Sequence, residues 1–245
     1  MKRFLVPVLI LVALGGAAAW WFVWRSTPQT TALRTREIAA WGLSGHLGKK
    51  FPGCRVVVVA NPFIRQAGIA KEFVATEEAG IRGVRDGLGT QGAVMAVAFP
   101  ELKPDAATNP RSLLQDADTT TPLSYLVAED GFDKLLQQNA GCDTVVSLIG
   151  LPVELDKMEA WTKPGAPRFA LLLPDLTMIG KLGAVRAALQ SGKLAAFVLA
   201  RPGGVDESTK VGKDPAAEFE QRFVLVTAEN FDSIRQAHPA LFPGG

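Results

Sequence analysis

RVVVVANPF, residues 55–63, decides the fold. Four valines and an alanine follow one another without the polar alternation of a half-wet strand, and Asn61-Pro62 stops them. A near-continuous apolar run of this length marks a strand buried on both faces, as in a parallel sheet. Five more such runs follow: AVMAVAF (93–99), DTVVSLI (143–149), RFALLL (168–173), LAAFVLA (194–200) and RFVLVT (222–227). Helical stretches separate most of them, at 68–87, 122–140, 153–162, 176–191 and 229–238. This alternation predicts an α/β fold with a single doubly wound, mostly parallel sheet of about six strands and right-handed crossovers.

Ahead of the first strand the chain reads in two parts. Residues 4–24 carry no charge, follow Met1-Lys2-Arg3 and end in Trp20, Trp21, Phe22 and Trp24 before Arg25. At 1.5 Å per residue the run spans a hydrocarbon core of about 30 Å. Its tryptophans fall where a bilayer interface would lie. Ala17 and Ala19 also fit the small-residue positions before a signal-peptide cut. A cut after Ala19 would leave WWFVW as an exposed apolar stub, so residues 1–25 are expected to be a retained signal anchor, with cleavage near Ala19 as the alternative. In both readings the domain is extracytoplasmic, on the periplasmic side. Residues 26–50 are expected to be a polar linker (STPQTT, 26–31) and a flanking helix over 33–50. Leu33, Ile38, Trp41, Leu43 and Leu47 would be its buried positions. Residues 51–245 form the α/β domain.

Charge argues against nucleic acid as a partner. Of 26 basic residues three, Lys2, Arg3 and Arg25, lie in residues 1–25, leaving 23 to face 24 acids. No basic cluster interleaved with aromatics appears either. Gly87-Leu88-Gly89-Thr90-Gln91-Gly92 matches G-x-G-x-x-G but follows a helix and leads into a strand. The dinucleotide motif needs the reverse order, so a helix C-cap and turn is expected here.

Ligands of open parallel sheets sit outside the carboxyl ends of the strands, near the reversal in strand order. Reading those ends gives Asn61, Glu101, Gly150, Asp175 and Arg201 as ligand-facing candidates, most of them beside a proline that stiffens the turn. Arg201 would fork onto a carboxylate or phosphate, while Asn61, Glu101 and Asp175 would hold amide, hydroxyl or cationic groups. Catalysis has little to stand on. His46 and His238 lie away from every strand end, leaving a nucleophile without an evident base. No metal-ligand spacing or cofactor motif occurs. Glu77-Glu78 reads as a solvated helix pair, and Glu101 with Asp175 is the one candidate acid–base pair. Cys54 and Cys142 each follow a glycine and enter a strand. With the first and third strands adjacent, as in 2-1-3-4-5 order, their thiols would meet. An oxidising compartment would then allow a disulfide closing about 90 residues, and two buried free thiols are the alternative.

RVVVVANPF, AGIRGVRDGL, AVAFPEL and CDTVVSLIG, in that order, resemble the first lobe of type I periplasmic solute-binding proteins, the binding components of ABC-type transporters. RFALLLPD and LAAFVLARPG resemble its fourth and fifth strands, so the likeness covers roughly residues 54–203. About 40 residues follow Pro202, too few for the second lobe. The resemblance implies a lone solute-binding-like lobe or a relative used in assembly. The expected function is therefore a membrane-tethered, non-catalytic domain that binds a small molecule or an envelope protein. A self-associating structural component of the envelope, in which the chain is a homo-oligomer, is the alternative.

Overall fold

The computed structural model describes residues 28–114, 121–206 and 209–242. The expected anchor, residues 4–24, lies outside the described residues. Among these no helix is long and apolar enough to cross a membrane.

All six expected strands form, within one or two residues of their expected limits: β1 (Cys54–Val59), β2 (Gly92–Ala98), β3 (Thr144–Ser147), β4 (Arg168–Leu172), β5 (Leu194–Ala200) and β6 (Phe223–Val226). They make one sheet in the order β2-β1-β3-β4-β5-β6. Every pair is parallel except β5–β6. Alternate residues of the runs face opposite layers. Val57, Val59, Val145, Phe169, Leu171 and Phe197 join one apolar cluster, and Val56, Val58, Val146, Ala170, Leu172 and Val198 the other. Both faces of β1, β3 and β4 are dry, which is why their runs carry no polar alternation, while the edge strand β2 is only part-buried, with Met95 52% exposed.

The helices depart further from expectation. α1 (Pro28–Lys50) begins inside the expected linker, so Pro28 to Thr31 are helical. α2 (Lys71–Leu88) matches its expected span. The single helix expected over 122–140 is broken into α3 (Leu123–Leu126) and α4 (Gly131–Gln138). Between them Val127 bridges Leu102, and the Ala128 N–H donates to the Glu101 carbonyl at 2.9 Å. Two 3₁₀ turns and two short helices, α5 (Glu159–Thr162) and α6 (Leu182–Gln190), occupy 153–162 and 176–191. α7 (Pro215–Arg222), unexpected from sequence, is capped by Asp214, whose side chain accepts from the Ala216 and Ala217 N–H groups. α8 (Phe231–Ala237) closes the chain's last packed layer.

α1 is structural. The α4, α5, α6 and α8 side chains all pack on one face of the sheet, so the other face would have only α2 and α7 without it. α1 lies along α2 and also touches β4, β5, β6 and α7. Ile38, Leu43 and Leu47 are fully buried, while Leu33 and Trp41 are half-buried. The two helices meet backbone to backbone. A methyl group on Gly83 would collide with the Glu37 carbonyl, and one on Gly87 with the Trp41 carbonyl and the Ser44 hydroxyl.

Cys54 and Cys142 are free and buried, the alternative to the disulfide that the sequence allows. They do precede the paired residues Val56 and Thr144 by the same two positions. However, β3 becomes regular only at Thr144, so Cys142 is off the ladder. Its side chain joins the α4–α6 face, whereas that of Cys54 joins the α1–α2 face. The sheet separates the thiols. Burial, the largest influence on each, pushes both thiol pKa values up.

α7 is tied down by a pair of charges. Arg222 Nε donates to Glu218 Oε2 at 2.9 Å, and its Nη2 reaches the Thr209 carbonyl at 2.9 Å. The other Glu218 oxygen accepts from Gly212 N–H at 2.8 Å. The Arg222 hydrogen bond holds the Glu218 carboxyl below its ordinary 4.5. At the other end of the chain Lys50 holds that of Glu229 at about 2. Groups whose folded pKa is depressed contribute stability that is complete above the unfolded pKa and is lost as pH falls through the folded one. Urea midpoints are therefore expected to be flat above about pH 5 and to fall on acidification below about 4.5. In Glu218→Gln the starting midpoint is lower and the acid slope shallower. An unchanged slope in that variant refutes this assignment.

Candidate functional site

Strand order reverses between β1 and β3, and the chain opens there. Asn61 follows β1 and caps a 3₁₀ turn over Pro62–Arg65, its Oδ1 accepting from the Phe63 N–H at 2.9 Å. Gly150 follows β3 at φ +79°, a left-handed turn that a side chain would strain. The Ser147 hydroxyl fastens its carbonyl at 2.5 Å. These two residues line the same crevice of about 260 Å³, walled by α2, α1 and the segment leading into α3. Asp175 adjoins it. One of its oxygens accepts from the Thr177 N–H and hydroxyl at 2.9 and 2.6 Å, the other from the hydroxyl of Thr121, a lining residue, at 3.5 Å.

Glu101 and Arg201 are not part of this site. Glu101 is exposed and paired with Lys134 of α4 at 2.9 Å, beside Asp130. Glu101 and Asp175 therefore engage separate partners, and this candidate acid–base pair is not assembled. Arg201 turns onto the edge strand β6 and donates from Nη2 to the Phe223 carbonyl at 3.1 Å. Asn230 does the same for the Leu225 carbonyl at 2.9 Å. Both side chains occupy hydrogen-bonding groups of an edge strand, which discourages pairing with another chain. The G-x-G-x-x-G stretch acts as a turn: Gly87 packs on α1, Gly89 ends α2 at φ +53°, and Gly92 opens β2.

The floor of the crevice holds a pair that sequence reasoning missed. Glu77, expected to be solvated with Glu78, is 4% exposed. It accepts from Arg36 Nη2 of α1 at 2.8 Å and from the Asn61 N–H at 2.8 Å. The same Arg36 nitrogen also reaches the Leu148 carbonyl at 3.2 Å. One carboxylate thus joins α1, α2 and the end of β1. The local signal for it is slight: Glu77 lies in the stripe of α2 that contains Gly80, Ile81 and Val84, all buried. Its partner is 41 positions away. At the mouth stands Leu173, which follows β4 at φ +47°, the one non-glycine residue with positive φ among the described residues. A bulky residue there is an outlier that costs roughly 1–2 kcal/mol.

Other grooves are larger and more open, and two of them, about 580 and 680 Å³, gather residues that precede β3, β4 and β5, at the amino ends of the strands. No group of three or more acidic, histidine or cysteine side chains able to hold a metal occurs among the described residues. What fold and site define is a doubly wound α/β domain with an opening at the switch point, the place where this architecture takes ligands.

No family model matches the chain, and no curated protein matches it in sequence. Solved structures do resemble it. An ABC transporter solute-binding protein from Burkholderia graminis, in complex with D-arabinose, is similar at 11% identity and a TM-score of 0.44, over 81% of this chain and 61% of that one. An arabinose-binding protein from Geobacillus stearothermophilus is similar at 10% identity and 0.44, over 81% and 62%. A carbohydrate transporter from Acidothermus cellulolyticus, in complex with myo-inositol, is similar at 11% and 0.43, over 82% and 60%. The chain spans about three fifths of their length. The weak, partial resemblance to solute-binding proteins expected from sequence is thus present.

Proposed function

We propose that this protein is a non-catalytic binding domain that captures a small molecule in the crevice between the carboxyl ends of β1 and β3. Residues 4–24 would hold it at the extracytoplasmic face of a membrane. The observation that carries the reading is the crevice at the strand-order reversal, with Asn61 and Gly150 on its walls and Arg36–Glu77 as its floor. Its polar groups engage one another, so none stands ready as a nucleophile with a base beside it. Its volume lies near the lower end of ligand sites, which selects a small molecule.

Plugging the crevice tests this. Thr76 lines it from α2 and is half-buried, so Thr76→Trp fills it from a helix. At a ligand concentration about 100 times Kd, a bound small molecule raises Tm by roughly 5–10 °C in the unmodified protein. Thr76→Trp is expected to fold and lose that shift. A ligand that still shifts the plugged variant binds elsewhere and refutes the site. For the tether, the protein is expected to stay with membranes after alkaline extraction; soluble protein beginning at Trp20 overturns it.

A further inference from the structure

Resting on that reading of the crevice, we infer that its ligand is neutral and mostly apolar, the size of one ring. Charge comes first. Arg36 and Glu77 are the charged residues that line the crevice, and each neutralises the other, so a charged ligand would meet no unmatched partner there. Hydrogen bonding follows. Both Glu77 oxygens, the Asn61 side-chain oxygen and the Gly150 carbonyl already have donors. Thr121 and Thr76 hydroxyls donate to Asp175 and to the Glu72 carbonyl. A ligand with many hydroxyls would lose its water contacts and find few replacements. Arg36 Nε has no partner, but it is fully buried beside Gly80 in the α1–α2 contact and is not open to the crevice.

The walls complete the match. Phe73, Pro122, Leu123, Leu148, Leu172 and Leu173 line the crevice. Among the described residues only three large apolar side chains are exposed, and two of them, Phe73 at 59% and Leu173 at 40%, stand at this opening. Leu173 is also the strained residue, and glycine or asparagine would hold that backbone more easily. Strain kept on an exposed apolar side chain at a cleft is accounted for by contact with a ligand. An apolar cavity of about 150 Å³ holds benzene, so 260 Å³ accommodates one ring with a substituent.

The test is a methyl-resolved NMR titration of the full chain in detergent with p-cresol, benzoate and D-arabinose. p-Cresol is expected to shift the methyls of Leu123, Leu148 and Leu173, which line the crevice, and to leave Leu189, which does not, unmoved. Leu173→Gly should keep or raise Tm while weakening p-cresol roughly tenfold, the effect of losing one aliphatic contact. If benzoate or D-arabinose shifts those methyls at lower concentration than p-cresol, the ligand class is wrong and the crevice reading stands. If none of the three shifts them, the inference fails and the crevice loses its support as a ligand site.

Discussion

A chain that starts at Phe51, without α1, is expected not to fold. The helix contributes Ile38, Leu43 and Leu47, each at most 1% exposed, together with Ala39 and Ala40. Burying three such aliphatic side chains stabilises by about 1.5–3 kcal/mol each, and the sum alone approaches the 5–15 kcal/mol of a whole domain. The loss does not end there. Leaving Val58, Ala170, Leu172 and Val198 without their cover on the α1–α2 face would expose an apolar surface on the centre of the sheet. Glu77 would lose its guanidinium as well. Urea unfolding followed by circular dichroism should show no cooperative transition, and the product should aggregate. A truncated chain with a native-like transition would show that α1 is a detachable stalk. A milder version uses the helix contact: Gly83→Leu drives a side chain into the Glu37 backbone and should weaken the domain by more than an ordinary surface change.

Glu77→Ala is expected to destabilise the domain by about 3–4 kcal/mol, the lower part of the range for breaking a buried pair, because Arg36 keeps some solvent. The Arg36 side chain is 22% exposed and that of Glu77 5%, so the alanine leaves a largely buried guanidinium without its carboxylate. The Asn61 N–H loses its acceptor in the same step. The double substitution Arg36→Met, Glu77→Leu removes both charges and fills the volume. It should recover most of the loss, since a packed apolar pair often equals a buried ion pair in stability. Equilibrium urea titrations of the wild type, Arg36→Met, Glu77→Leu and the double variant form the cycle that measures the coupling. Loss of less than about 1 kcal/mol in Glu77→Ala would place the pair with ordinary exposed salt bridges.

The candidate site was legible only in part, and the residues divide by physical cause. Asn61 and Gly150 can be read from sequence because each ends a strand in a turn that dictates where the backbone goes. Glu101 and Arg201 satisfy the same rule yet serve elsewhere, since a strand end does not set where a long side chain turns. Lys134 attracts one and the open edge of β6 the other. Glu77 was misread because two adjacent glutamates on a helix look alike in sequence. They point about 100° apart, one to the floor of the crevice and one to water.

What the sequence by itself determined is the set of six strands and the α/β class. Burial on both faces writes itself into consecutive residues, and RVVVVANPF carries that signal without help from the rest of the chain. The tertiary structure alone decided that α1 completes a layer of the core, that Cys54 and Cys142 face opposite sides of the sheet, and that Arg36 meets Glu77. Each of these depends on elements far apart in the chain approaching through a shared layer. Local propensity and apolar period hold no record of which distant side chain will be there.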